Sequence, residues 1–192
     1  LEPYSKYQTD GKKIIMDHRT DAEIAARVLQ GDKEAYSLLV DAYQGPLFNL
    51  ALRMTGSYAD ADDLTQEIFF RAYQQLRKFN QEKHFFTWLY TIGINIIRNH
   101  IKKRNRDEAF NTAQRYCSES QIKKFEEKEN DGLPEDRMII LEMTLRKLPI
   151  DVREAIILKY YQNMTFEEIA AITGDSTSAV KMRIYRGLEK IK

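Results

Sequence analysis

Apolar residues recur at helical spacing through most of this chain, and the pattern breaks at a few marked places. After Thr20 and Asp21, either of which suits a helix N-terminus, Ile24, Ala25, Val28 and Leu29 share one face up to Gly31. Asp32 is the next cap, ahead of Ala35, Leu38, Leu39, Ala42 and Tyr43. Gly45-Pro46 then predicts a kink or a fresh start, because proline has no N–H to donate. Leu47, Leu50, Ala51 and Met54 carry the stripe on to Gly56. Residues 58–79 read as the longest amphipathic helix, with Leu64, Ile68, Ala72 and Leu76 on its inner face. Residues 85–106 form another, whose stripe is Trp88, Leu89, Ile92, Ile96 and Ile101.

The stretch 107–134 loses the pattern and is rich in scattered charge, so it reads as a linker, partly helical at most. Beyond it Met138, Leu141 and Leu145 face inward until Leu148-Pro149. Val152, Ala155, Ile156 and Lys159 mark a helix over 151–161. Phe166, Ile169, Ala170 and Ile172 then share a face, and Gly174 stops that helix because glycine accepts positive φ. Asp175 or Ser176 caps the last helix, where Val180, Ile184, Leu188 and Ile191 make the apolar stripe. Lys181, Arg183, Tyr185 and Arg186 lie off it. Two short helices joined by a glycine turn, the second basic, form a helix-turn-helix pattern. No alternating run is long enough for a strand. The fold class is all-α: two small helical domains, 16–106 and 135–192, joined by a flexible linker over 107–134. Residues 1–15 are set aside as a tag or an N-terminal extension, with Met16 as a candidate start.

Composition narrows the choices. With 43% hydrophobic and 31% charged residues the chain is globular and not disordered. A net charge of +1 supplies no uniform basic field, so DNA affinity must come from local patches. The single cysteine, Cys117, excludes an internal disulfide framework and fits a reducing cytosol. No apolar run approaches a membrane span and no signal-peptide pattern is present, so a cytoplasmic protein without membrane insertion is expected.

Enzyme signatures are absent: no phosphate loop, no HExxH, no nucleophile elbow, and three histidines far apart. No catalytic residue, cofactor or metal is expected. Asp60, Asp63 and Glu67 share a helical face, but a second set of ligands is missing. The dipole of helix 58–79 accounts for acids at its start and for Arg71, Arg77 and Lys78 at its end. It does not account for Gln66, Glu67 and Phe70, which lie partly off the core stripe. In helix 85–106, aromatics at one end and cations at the other suggest a single-strand surface, with bases on rings and phosphates on cations.

In this order and at these distances, three stretches resemble the extracytoplasmic-function (ECF) sigma factors, small members of the main bacterial sigma factor family. ADADDLTQEIFFRAYQQLRKF is similar to the family's core-polymerase-binding helix. FFTWLYTIGINIIRNHIKKR resembles the helix that opens and reads the minus-ten promoter element. LPIDVREAIILKYYQNMTFEEIAAITGDSTSAVKMRIYRG resembles the minus-thirty-five reader. The resemblance implies region 2 over 16–106 and region 4 over 135–192. It implies that Asp62, Asp63, Gln66, Glu67 and Phe70 face the β′ coiled coil of core RNA polymerase. It places Phe79, Asn80, Phe86 and Trp88 at a pocket for a base flipped from the minus-ten strand. Asn95, Arg98, Asn99, Lys102, Lys103 and Arg104 would line the melted strand and the upstream duplex. At the minus-thirty-five element, Lys181, Arg183, Tyr185 and Arg186 would enter the major groove, and Arg153 and Thr165 would hold phosphates. An anti-sigma factor, often membrane-bound in the family, is the implied regulator, and the linker would order along the polymerase RNA-exit path.

The chain departs from the family pattern at Asn99, where an Asp is frequent, and at Ala179 and Met182, which lack the usual hydroxyls. The resemblance therefore does not carry over a promoter sequence. Two rival readings have distinct signatures. An autonomous helix-turn-helix regulator would be a dimer on a palindromic site. An enzyme built on the acids of 60–67 would show metal-dependent turnover.

Overall fold

The computed structural model of this protein describes residues 18–116 and 143–191, with side chains over 20–107 and 143–191. Every regular element among the described residues is helical. Four helices come first: α1 (His18–Leu29), α2 (Tyr36–Thr55), α3 (Tyr58–Gln75) and α4 (Phe85–Tyr116). Short 3-10 turns stand at Lys33–Ala35 and Leu76–Lys78. After a helical piece over 143–147 come α5 (Ile150–Tyr160), α6 (Phe166–Thr173) and α7 (Thr177–Glu189).

Local chemistry sets most boundaries. Asp32 accepts from the Ala35 N–H and Ser57 from the Asp60 N–H. Thr165 and Glu168 form a reciprocal capping box at the start of α6. Gly174 sits at φ 76°, a left-handed conformation that costs a residue with a Cβ. Ser176, not Asp175, caps α7 by accepting from the Ala179 N–H.

Three elements differ from the sequence pattern. Helix α2 runs through Gly45-Pro46 without a new start. Proline inside a helix costs about 3 kcal/mol. Burying Leu47, Phe48 and Leu50 in the same turns offsets this, at roughly 2 kcal/mol each. Helix α3 ends at Gln75, so α4, at 32 residues, is the longest element. It continues through Asp107 to Tyr116, into the stretch expected to be linker. Residues 117–142, which include Cys117, the rest of that linker and the opening of the second domain, lie outside the described residues.

The core of the first four helices is fully buried at Leu39, Tyr43, Leu50, Met54, Ile68, Leu89 and Ile97. Tyr43 donates to Asp21 at 2.5 Å, pinning α1 to α2. Burial first, and then Asp21, pushes the Tyr43 hydroxyl pKa well above its usual value. In the second part Ile157, Leu158, Met164, Ile169, Val180 and Ile184 form the buried set.

The two parts pack on each other, α5 against α2 and α6 against α4. The Tyr90 hydroxyl donates to Gln162 Oε1 at 3.1 Å, and Gln162 Nε2 donates to the Pro46 carbonyl at 3.1 Å. The Arg53 guanidinium lies 3.8 Å from the centre of the Tyr161 ring. Arg153 reaches across to the Met54 carbonyl at 2.7 Å.

Candidate polymerase and DNA interfaces

The outer face of α3 carries Asp62, Asp63, Gln66, Glu67 and Phe70. Their inner neighbours Ala61, Leu64, Ile68 and Phe69 are buried, so the helix can turn only its other side outward. Gln66 donates to Asp62 at 3.2 Å, and Arg71 pairs with Glu67 at 2.7 Å. Phe70 is 62% exposed, the most exposed large apolar side chain among the described residues. A solvated phenyl ring on a polar helix face is unfavourable alone and suits a protein partner. Asp60, on the flank of this face, is held by Arg104 at 3.1 Å with His100 at 3.5 Å. That pairing gives the acid a structural partner, and no group of ligating side chains among the described residues is arranged to hold a metal ion.

The aromatic residues around the loop 80–84 mostly face inward. Phe79 and Phe86 are buried, and Trp88 is half-buried. Phe79 meets Phe85 edge-on at 5.3 Å and Trp88 at 5.3 Å; Phe86 lies 4.4 Å from Tyr90. They form a floor under the loop. Asn80 is exposed and accepts from the Glu82 N–H at 2.9 Å, which fixes the turn. Further along α4, Asn95, Asn99, Lys102 and Lys103 are exposed. Arg98 and Arg104 are not open in the same way. Arg104 also donates to the Thr55 carbonyl at 3.3 Å. Arg98 grips Glu154 of α5 with two bonds, at 2.5 and 2.6 Å.

The helix-turn-helix shows its basic face. Lys181, Tyr185 and Arg186 are exposed on α7, with Met182 beside them. Thr165 is exposed but occupied as a helix cap. Lys181 also sits 5.2 Å from the Phe166 ring centre. Arg183 turns the other way and pairs with Asp175 at 2.6 Å and Asp151 at 3.1 Å. The bond from Arg183 holds the Asp175 carboxyl below the usual carboxylate range. Arg153 is buried and donates to the carbonyls of Met54, Arg146 and Leu148. In this arrangement its guanidinium braces the junction of the two parts and is not on the exposed basic face of α7.

The pattern of residues did not single out Glu154, whose side chain is completely buried. Burial pushes its carboxyl pKa upward, and Arg98 works against that shift. One signal was present: Glu154 shares a helical face with the core residues Ile157 and Leu158. Gln162 was missed for a plainer reason, since its partners Tyr90 and Pro46 are remote in the chain.

Comparison with known proteins follows the same division. Residues 39–107 match the family model for sigma-70 region 2, and residues 133–191 match that for sigma-70 region 4. The RNA polymerase sigma-H factor of Pseudomonas aeruginosa is 31% identical over 92% of this chain and 94% of its own length. The ECF RNA polymerase sigma-E factor of Escherichia coli is 35% identical over 92% of this chain and 95% of its own. Among solved structures, CnrH in complex with the cytosolic domain of CnrY aligns with a TM-score of 0.64. It shares 28% identity and covers 89% of this chain and 94% of that one. The sigma factor RpoE of Bartonella quintana, solved with the anti-sigma factor NepR, aligns with a TM-score of 0.59 at 21% identity. It covers 81% of this chain and 93% of that one, and shows the shared fold. With a region 2 helix that exposes Phe70, a basic helix-turn-helix and full-length relatives of this kind, the chain belongs to the ECF group of the sigma-70 family.

Proposed function

We propose that this chain is a dissociable initiation subunit that binds core RNA polymerase, directs it to specific promoters and helps melt the minus-ten element. The observation that carries this reading is the placement of exposed chemistry on three helices. An exposed phenyl group lies on α3 beside Gln66 and Glu67, amides and lysines on α4, and Lys181, Tyr185 and Arg186 on α7. Each surface suits a different target: a basic or apolar protein helix, a single strand, and a major groove.

In this reading the α3 face, from Asp62 to Phe70, docks on the β′ coiled coil. The loop 80–84, held from below by Phe79, Phe86 and Trp88, receives a flipped base. Unstacking a base costs a few kcal/mol, which edge and stacking contacts offset. Asn95, Asn99, Lys102 and Lys103 follow the melted backbone, and α7 enters the groove at the minus-thirty-five element. The chain itself catalyses nothing; polymerase performs the chemistry. The site of action is the cytoplasm, and no described helix is long and apolar enough to cross a membrane. The resemblance adds an anti-sigma factor as the restraining partner.

The direct test is co-elution with bacterial core polymerase on a sizing column. The wild-type chain is expected to travel with polymerase, and Phe70→Ala to lose at least tenfold in affinity. Wild-type protein that never co-elutes would refute the reading.

A further inference from the structure

The exposed face of α7 has an order across it. Val180, Ile184 and Gly187 are buried, while Ser178, Lys181, Met182, Tyr185, Arg186 and Glu189 are exposed. At about 3.6 residues per turn, Ser178, Met182, Tyr185 and Glu189 run along the middle of that face. Lys181 stands on one flank and Arg186 on the other. The Lys181 ammonium lies 5.2 Å from the centre of the Phe166 ring, and that of Lys159 lies 4.6 Å from the same centre. Both charges therefore gather at the α6 edge of the face, where a helix laid in a groove meets the DNA backbone.

The middle of the face carries different chemistry. Met182 is 50% exposed. One exposed apolar side chain is ordinary on a protein surface, so its place is what matters. It stands in the second turn of α7, within the N-terminal half that a recognition helix turns to base edges. A thioether has no hydrogen-bond donor and only a weak acceptor. Against a G·C pair it strips water from the guanine acceptors or the cytosine amino group and returns nothing. The apolar mark in the major groove is the C5-methyl group of thymine. The hydroxyl usual here in the family can bond to more than one base, so Met182 changes what is read at this position.

We propose that Met182 is a specificity-determining residue that selects a thymine in the minus-thirty-five element by contact with its C5-methyl group. This rests on the reading of α7 as the helix that enters that groove. Lys181, with Lys159, holds the backbone on the α6 side, and the thioether is left facing the bases. The preference at this position then belongs to this chain and does not carry over from relatives with a hydroxyl there.

The test uses the full chain assembled with bacterial core polymerase, and a promoter fragment whose start site has been mapped by run-off transcription. Each thymine of its minus-thirty-five element, on either strand, is replaced in turn by deoxyuridine, which pairs identically and lacks the methyl group. Wild-type holoenzyme is expected to bind one of these fragments about fourfold more weakly, which is roughly 0.8 kcal/mol for one buried methyl group at about 1.4 kcal/mol per tenfold. Met182→Ala should bind the unmodified fragment about fourfold more weakly and no longer distinguish thymine from deoxyuridine at that position. Met182→Leu should keep the distinction. A side chain with only a structural role would weaken binding to both fragments alike and leave their ratio intact. An element without thymine, equal binding of every fragment by wild type, or a thymine preference that survives Met182→Ala would overturn the proposal while the sigma reading stands. A chain that yields no start site and does not co-elute with core polymerase would sink that reading, and this proposal with it.

Discussion

Arg153 and Arg186 carry the same guanidinium to opposite ends. Arg153 is buried and fills three carbonyls, those of Met54, Arg146 and Leu148. Arg186 is exposed on α7. Arg153→Ala leaves buried acceptors unmet and is expected to cost about 2–3 kcal/mol in urea unfolding. Arg186→Ala should stay within about 0.5 kcal/mol of wild type in the same assay, yet reduce transcription from the chain's promoters. Asp175 offers a pH-dependent counterpart. Its carboxyl pKa is lowered in the folded chain, chiefly by the bond from Arg183. A lowered folded value means that the stabilisation is present above the unfolded carboxylate pKa of about 3.9 and is lost as pH falls through the folded value. Wild type should therefore exceed Asp175→Asn in stability at pH 7, and the gap should close on acidification below about pH 4. A gap that widens in acid would contradict the assignment of Arg183 to Asp175.

Elements were legible where their causes are local. Ser176 and Gly174 announce the turn of the helix-turn-helix, and both act as expected, Ser176 on the Ala179 N–H and Gly174 at positive φ. Ser176→Ala should cost about 1 kcal/mol. Gly187 is tighter than its sequence suggests. A Cβ there would strike Val152 Cγ1 and come within 2.8 Å of Ile156 Cδ1. Gly187→Ala is expected to lose about 1–3 kcal/mol by forcing α7 off α5, measurable as a lower thermal midpoint. Elements were misread where a distant contact decides. Helix α2 crosses Pro46 because its flanks are buried; the apolar stripe on both sides was legible, but not that its burial would outweigh the proline. Helix α4 differs only in length: it outlasts its apolar stripe and reaches Tyr116, in a stretch the sequence reads as partly helical at most. The aromatic cluster of Phe79, Phe85 and Trp88 shows how a set of rings that suggests stacking on bases also serves as the floor of a loop. Glu154 is the hardest case, since its partner lies in another domain and only its place beside Ile157 and Leu158 hinted at burial.

At the scale of the molecule, a net charge of +1 joins an acidic face on α3 to cationic faces on α4 and α7. Such a chain has little long-range pull on DNA, so the isolated protein should bind promoter duplex weakly, with tight binding appearing only with polymerase. The most direct measurement is run-off transcription with bacterial core polymerase, the purified full chain and genomic templates that include the chain's own upstream region. Discrete transcripts from fixed start sites, present only with the chain and lost with Phe70→Ala, are the predicted result. Transcription unchanged by the chain, or a sequence-specific footprint on duplex DNA formed without polymerase, would contradict it.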